Sequence, residues 1–236
     1  MNLPVVVIAG GMGSRLGNLT KDVPKSMVLV KQRPFIYWQL MMLKSQGFLE
    51  ILLCLGHLGN VIEDYVGDGS RFGVKVSYSY DGTKPLGTGG ALFNAVRELQ
   101  SDFAVTYGDS YLPTNFYAAK EAFLNTEKSG LITVYKNSNS LVKSNMAKLK
   151  SGRFTYSKHS DCDDCDFVDY GMIFWRREKF MSCSLTPPWD IGDLIADMLE
   201  KDGLETFEIV DRFYEVGSLS GISDLDLFLR SSNEFC

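Results

Sequence analysis

Residues 5–9, Val-Val-Val-Ile-Ala, form an unbroken apolar, mostly β-branched run that stops at two glycines. A strand with no polar face must be covered on both sides, as the central strands of parallel sheets are. This run therefore constrains the chain to an α/β architecture. Residues 10–27 follow it directly and read Gly-Gly-Met-Gly-Ser-Arg-Leu-Gly-Asn-Leu-Thr-Lys-Asp-Val-Pro-Lys-Ser-Met. Open α/β sheets bind ligands at the carboxyl ends of their strands. A glycine-rich loop in that position lets backbone N–H groups approach phosphate oxygens, and Arg15 and Lys25 bring the charge that neutralises them.

Two familiar phosphate loops do not fit. A Walker loop needs Lys and Ser or Thr directly after its last glycine, whereas Lys25-Ser26 follows Pro24. A dinucleotide fingerprint begun at Gly11 and Gly13 meets Leu16 where its third glycine should stand. The second expected strand, residues 49–55, ends in Gly56-His57 and not in an acid.

The rest of the chain alternates in α/β order. Helices are expected over residues 35–46, 59–66, 90–99, 116–128, 191–201 and 222–230. Strands are expected over 49–55, 74–80, 103–107, 131–135, 146–149, 154–156, 167–175, 206–210 and 212–216. The later segments look antiparallel, so the expected fold is a Rossmann-like, doubly wound mixed sheet in one domain spanning residues 1–236. Asp109 closes the strand Phe103-Ala-Val-Thr-Tyr-Gly-Asp on the same sheet edge as the glycine loop. Its hard oxygens suit Mg²⁺, which takes one or two carboxylates and fills its other positions with phosphate and water.

A formal net charge of −5 argues against a general nucleic-acid surface. No apolar run approaches membrane-spanning length and the amino terminus lacks a leader pattern, so no membrane partner and a cytoplasmic setting are expected. Five scattered cysteines make no disulfide framework. His159 with Cys162-Asp-Asp-Cys165 offers three zinc donors, but a structural site needs four and no second pair exists.

The pattern Gly-Gly-x-Gly-x-Arg-Leu, then Thr, then Pro-Lys-x-Met resembles the signature of the sugar-1-phosphate nucleotidyltransferases. The resemblance is strongest to the branch with heptose-1-phosphate guanylyltransferases and N-acetylmuramate-1-phosphate uridylyltransferases. It implies the nucleotide-diphospho-sugar transferase fold. It also implies that Gly10, Gly11, Gly13 and Arg15, with Ala9 at the strand end, wrap a nucleoside triphosphate while Lys25 meets phosphates at the reacting centre. The segment Lys84-Pro-Leu-Gly-Thr-Gly-Gly-Ala-Leu resembles the family's base- and sugar-closing stretch, with Gly87, Thr88 and Gly89 offering backbone groups to the nucleobase. Glu215 stands where many relatives have the Asp of Asp-x-Gly-Thr, their second metal ligand. By the same resemblance Lys158 meets the sugar phosphate, Asp169 the sugar hydroxyls, and Gly171 lets the sugar ring approach. Asp169 departs from an Asn common in relatives.

The reaction implied is attack of a sugar-1-phosphate oxygen on the α-phosphorus of an NTP, giving a nucleotide-sugar and pyrophosphate with Mg²⁺ as cofactor. GTP and a heptose- or mannose-type sugar are favoured by resemblance alone. Other readings are a nucleotide-sensing subunit that lost catalysis and a glycosyltransferase, although the latter's Asp-x-Asp is missing from Gly108-Asp109-Ser110-Tyr111. The aromatic-rich C-terminal segment would suit a homodimer.

Overall fold

Burial on both faces governs β1 (Val5–Ile8). Val5, Val6 and Val7 expose nothing to solvent. Val5 and Val7 enter one hydrophobic cluster and Val6 and Ile8 another, so a single strand nails together two cores. Each such side chain stabilises the fold by roughly 1.5–3 kcal/mol. The computed structural model describes residues 3–11, 16–17, 20, 23–82, 86–138, 140–157, 164–183 and 186–232.

From β1 the chain passes through a 3₁₀ turn (Lys25–Met27) to a short hairpin, β2 (Leu29–Val30) and β3 (Arg33–Pro34). Then come α1 (Phe35–Ser45), β4 (Glu50–Leu55), α2 (Gly59–Val66), β5 (Lys75–Tyr80), α3 (Gly87–Val96) and β6 (Phe103–Tyr107). The second half holds β7 (Ser110–Tyr111), α4 (Tyr117–Asn125), β8 (Gly130–Lys136), β9 (Met146–Lys148), β10 (Phe154–Tyr156) and β11 (Phe167–Trp175). It closes with α5 (Arg177–Met181), α6 (Ile191–Glu200), β12 (Leu204–Ile209), β13 (Tyr214–Glu215) and α7 (Leu219–Ser231).

Among the described residues nine strands form one sheet, ordered β10-β9-β11-β6-β1-β4-β5, with β8 on β11 and β12 on β8. The strands β5, β4, β1 and β6 are mutually parallel, and β11 joins β6 antiparallel. The expected mixed, doubly wound sheet is what forms. Because the chain goes from β1 to β4 on one side and later to β6 on the other, a crevice opens at the carboxyl end of β1. Helix α1 covers one face with Phe35, Ile36, Leu40 and Leu43, and α3 and α6 cover the other with Leu92, Val96, Ile191 and Ile195.

Two expectations need correction. Helix α3 starts at Gly87, three residues earlier than its apolar pattern suggests. The reason is tertiary: the N–H groups of Gly89 and Gly90 both donate to the carbonyl of Trp189, at 3.1 and 3.4 Å. The small pairs β2–β3 and β7–β13 were too short to read from periodicity, and β13 is confined to Tyr214–Glu215. Within the C-terminal segment, Phe228 stacks on Tyr214 with ring centroids 4.6 Å apart.

Trp189 also explains why position 89 is glycine. A Cβ there would lie 2.0 Å from the indole ring. Gly89→Ala should therefore lower stability by about 1–3 kcal/mol, the range for overpacking a core. In a Trp189→Ala background the same change should cost less, and chemical denaturation of the four proteins in that cycle reads the difference.

Candidate active site

The site is assembled where three strands end. Past β1, Ala9 N–H donates to the Cys54 carbonyl at 2.9 Å, and Gly108 N–H, just past β6, donates to the Ile8 carbonyl at 2.8 Å. The contacts leave no room for side chains. A Cβ on Gly108 would stand 2.7 Å from the Ala9 Cα, and one on Gly56 would stand 2.7 Å from the Gly10 oxygen. Glycine at these positions lets the strand tips converge and aims Asp109 into the crevice.

Two clefts open beside that tip. One, of about 290 Å³, is lined by Ala9, Gly11, Lys25, Thr88 and Gly217 among others. The other, of about 260 Å³, is lined by Lys143, Asp169, Gly171, Phe213 and Glu215 among others. Tyr107 and Asp109 line both. A larger cavity, about 740 Å³ between α1 and the segment after β7, shares no lining residue with either.

Lys25 and Asp109 form an ion pair through the ammonium and Oδ2. Their side chains are only 14% and 24% exposed, so water screens the pair incompletely. Glu215 reaches the site through the β13–β7 pairing, opposite Ser110, while Val216 N–H donates to the Asp109 carbonyl at 2.9 Å. The two expected carboxylates thus lie on adjoining segments and line one cleft.

Asp169 sits where β11 is bulged, with the register slipping between Asp169 and Ile173. Gly171 makes the bulge possible, having φ of +103°. The hydroxyl of Tyr107 donates to Asp169 Oδ2 at 2.7 Å, and Gly171 N–H donates to Oδ1 at 2.9 Å. Burial pushes the Asp169 carboxyl above its ordinary range, and those two bonds oppose the rise without cancelling it. Burial also raises the Tyr107 phenol, which the neighbouring Asp169 reinforces. Tyr107 therefore remains a hydrogen-bond donor at neutral pH.

Of the expected nucleotide-side residues, Ala9, Gly11, Thr88 and Lys25 line the first cleft. Gly10 packs on Gly56, and Gly87 and Gly89 pack on Trp189, so their lack of a side chain serves the scaffold. Thr88 Oγ1 accepts from Ile191 N–H at 3.0 Å, tying α3 to α6. Arg15, Gly13 and Lys158 lie outside the described residues, as do His159 and Cys162 of the zinc reading. Cys165 is disulfide-bonded, which removes its sulfur from any such ligand set.

Sequence reasoning missed Tyr107 and Lys143. Tyr107 had a legible signal, a polar-tipped aromatic one step before Gly108-Asp109 at a strand's carboxyl end. Lys143 had none, since it lies in an irregular stretch joined to the cleft only by the fold.

The chain belongs to the nucleotidyl transferase family, whose sequence model matches residues 4–143. A D-glycero-alpha-D-manno-heptose 1-phosphate guanylyltransferase from Campylobacter jejuni is 33% identical over 109 residues, covering 46% of this chain and 48% of that protein. An N-acetylmuramate alpha-1-phosphate uridylyltransferase from Neisseria meningitidis is 37% identical over 118 residues, covering 50% and 51%. The chain thus spans about half the length of these curated relatives. Among solved structures, HddC from Yersinia pseudotuberculosis in complex with GMP-PN superposes with a TM-score of 0.81 at 23% identity, over 96% of this chain and 99% of that one. A UDP-glucose pyrophosphorylase from Acinetobacter baumanii gives 0.80 at 19% identity, over 99% and 96%. These two likenesses are of fold.

The Asp169 carboxyl gives a pH signature. A group whose native pKa exceeds its unfolded value stabilises the fold fully below the unfolded value, and that contribution is lost as pH rises through the native one. Asp169→Asn carries no charge at any pH. Its melting temperature should rise relative to wild type as pH climbs from 3.8, the ordinary carboxyl value, toward neutrality. A difference in Tm that stays constant over that range would refute the raised pKa.

Proposed function

We propose that this protein joins a nucleoside triphosphate to a sugar-1-phosphate, releasing pyrophosphate and a nucleotide-sugar. The observation that carries the reading is the sharing of Asp109 and Tyr107 by two clefts, one lined by Ala9, Gly11 and Lys25 and the other by Asp169 and Gly171 of the bulge. A reaction between two phosphate-bearing substrates needs two pockets that meet at one charged point. Membership of the nucleotidyl transferase family supports the same chemistry.

In this reading a sugar-1-phosphate oxygen forms a bond to the α-phosphorus while the bond from that phosphorus to the bridging oxygen of pyrophosphate breaks. No base is needed, because a phosphate monoester with a second pKa near 6 is largely ionised at neutral pH. The obstacle is repulsion: two unit charges 4 Å apart repel by about 4 kcal/mol at an effective dielectric near 20. Lys25 offsets part of this, and Arg15 is proposed to do so from the loop. Positioning and fixed charge then carry the catalysis.

Mg²⁺ is proposed as the cofactor, supported by the chemistry of two hard carboxylates beside a phosphate site. Asp109 and Glu215 line one cleft, and no group of three or more His, Cys, Asp or Glu forms among the described residues. A pair of hard carboxylates with phosphate and water is how that ion is ordinarily held. When bound it would supply positive charge to phosphate oxygens. Asp169 is proposed to accept sugar hydroxyls, Gly171 to let the ring come close, and Lys158 to meet the sugar phosphate. GTP is proposed as the nucleotide and a heptose- or mannose-type sugar as partner, supported by guanylyltransferases for heptose and mannose 1-phosphates among the relatives.

Pyrophosphate release from each NTP against a panel of sugar-1-phosphates tests the reading, with GTP and a heptose or mannose phosphate expected to lead. Nucleotide binding without release for any pair would instead indicate a sensing subunit. Lys25→Ala should lower kcat by about 10²–10³, the range for removing one fixed stabiliser of developing charge. Asp109→Asn should raise the magnesium concentration needed for half-maximal rate, and an unchanged requirement would take Asp109 out of the metal site.

A further inference from the structure

Helix α1 is apolar over most of its length, yet Gln39 in its middle has no exposed surface. Its amide nitrogen donates to the Tyr107 carbonyl at 2.8 Å and to the Ser110 carbonyl at 2.9 Å. These carbonyls flank Gly108 and Asp109. Both protons of one NH₂ group therefore clamp the two ends of the turn that carries the shared carboxylate.

The clamp is the end of a longer rack. Residues 39, 42 and 46 share one helix face by their spacing, and all three address the segment after β6. Leu112 N–H lies 2.9 Å from Met42 Sδ, Gln46 donates to the Leu112 carbonyl at 3.1 Å, and Phe116 N–H donates to Gln46 Oε1 at 3.3 Å. Other bonds hold the turn from its remaining sides, through Ile8 and Val216. The Gln39 carbonyl oxygen, by contrast, is buried without a hydrogen-bond partner among the described residues. A buried amide that leaves its acceptor unused is poorly explained by core packing, where an apolar residue of similar size would avoid that penalty. It is well explained by its donors.

We infer that Gln39 is a positioning residue for phosphoryl transfer: its side-chain amide fixes the Tyr107–Ser110 turn and through it the Asp109 carboxylate between the two clefts. The inference rests on the role proposed for Asp109. Gln39 touches no substrate, so its loss should loosen transition-state geometry without removing binding contacts.

Gln39→Met retains an unbranched side chain of similar length, and Gln39→Leu provides a second variant should the first fold poorly. Either should lower kcat by between about 10-fold and 100-fold, the scale for a small misplacement of reacting groups. KM for both substrates should stay within a factor of about three, as expected for an interaction realised only in the transition state. Gln46→Leu also removes two hydrogen bonds from the same helix but leaves the turn clamped, so its kcat should match wild type. The Val216 amide, bonded to the Asp109 carbonyl, should exchange with deuterium faster in Gln39→Met than in wild type. An unchanged kcat, a loss expressed in KM, or an equal loss in Gln46→Leu would overturn the inference. Should wild type turn over no substrate pair, the activity proposed above fails by itself. The exchange measurement still decides the clamp, and protection equal to wild type overturns it.

Discussion

The ion pair between Lys25 and Asp109 is the contact on which the candidate site depends. It joins the 3₁₀ turn that follows the glycine loop to the tip of β6, two segments 84 residues apart in sequence. The partners are mostly withdrawn from water, so removing either would strand the other's charge in a poorly solvated place. Around this pair everything else is bracing. Ile8 and Val216 hold the Asp109 turn by its backbone, and Gln39 holds it from the helix beneath. The pairing of β13 with β7 directly after that turn brings Glu215 to the cleft.

The sheet order supplies the second half of the design. Reversal of strand order about β1, with β4 added on one side and β6 on the other, leaves a crevice at its carboxyl end, and glycines at 10, 56 and 108 let the strand tips close upon it. The antiparallel strand β11 then adds something that a purely parallel sheet would not have. Its bulge at Gly171 sets Asp169 against Tyr107, which lines both clefts.

The central architecture was legible because burial leaves a plain trace in sequence. The run at residues 5–9 has no polar face, and the helix at Gly59–Val66 carries a clear apolar stripe, so both were found at nearly their observed limits. That Asp109, Lys25 and Glu215 line the clefts accords with a strand-end position for Asp109 and with the family resemblance for the other two. What was illegible depends on distant partners. The start of α3 is set by the carbonyl of Trp189, about a hundred residues onward, and no local pattern contains that information. The role of Gln39 likewise comes only from the hydrogen bonds it makes across the fold.

The central claim is that the two clefts are halves of one site meeting at Asp109. A crystal structure with a nucleotide-sugar bound tests it most directly. The account predicts a diphosphate lying across Asp109 and Lys25, with the nucleoside beside Ala9 and Gly11 and the sugar beside Asp169 and Gly171. A nucleotide-sugar seated elsewhere, for instance in the larger cavity between α1 and the segment after β7, would contradict it.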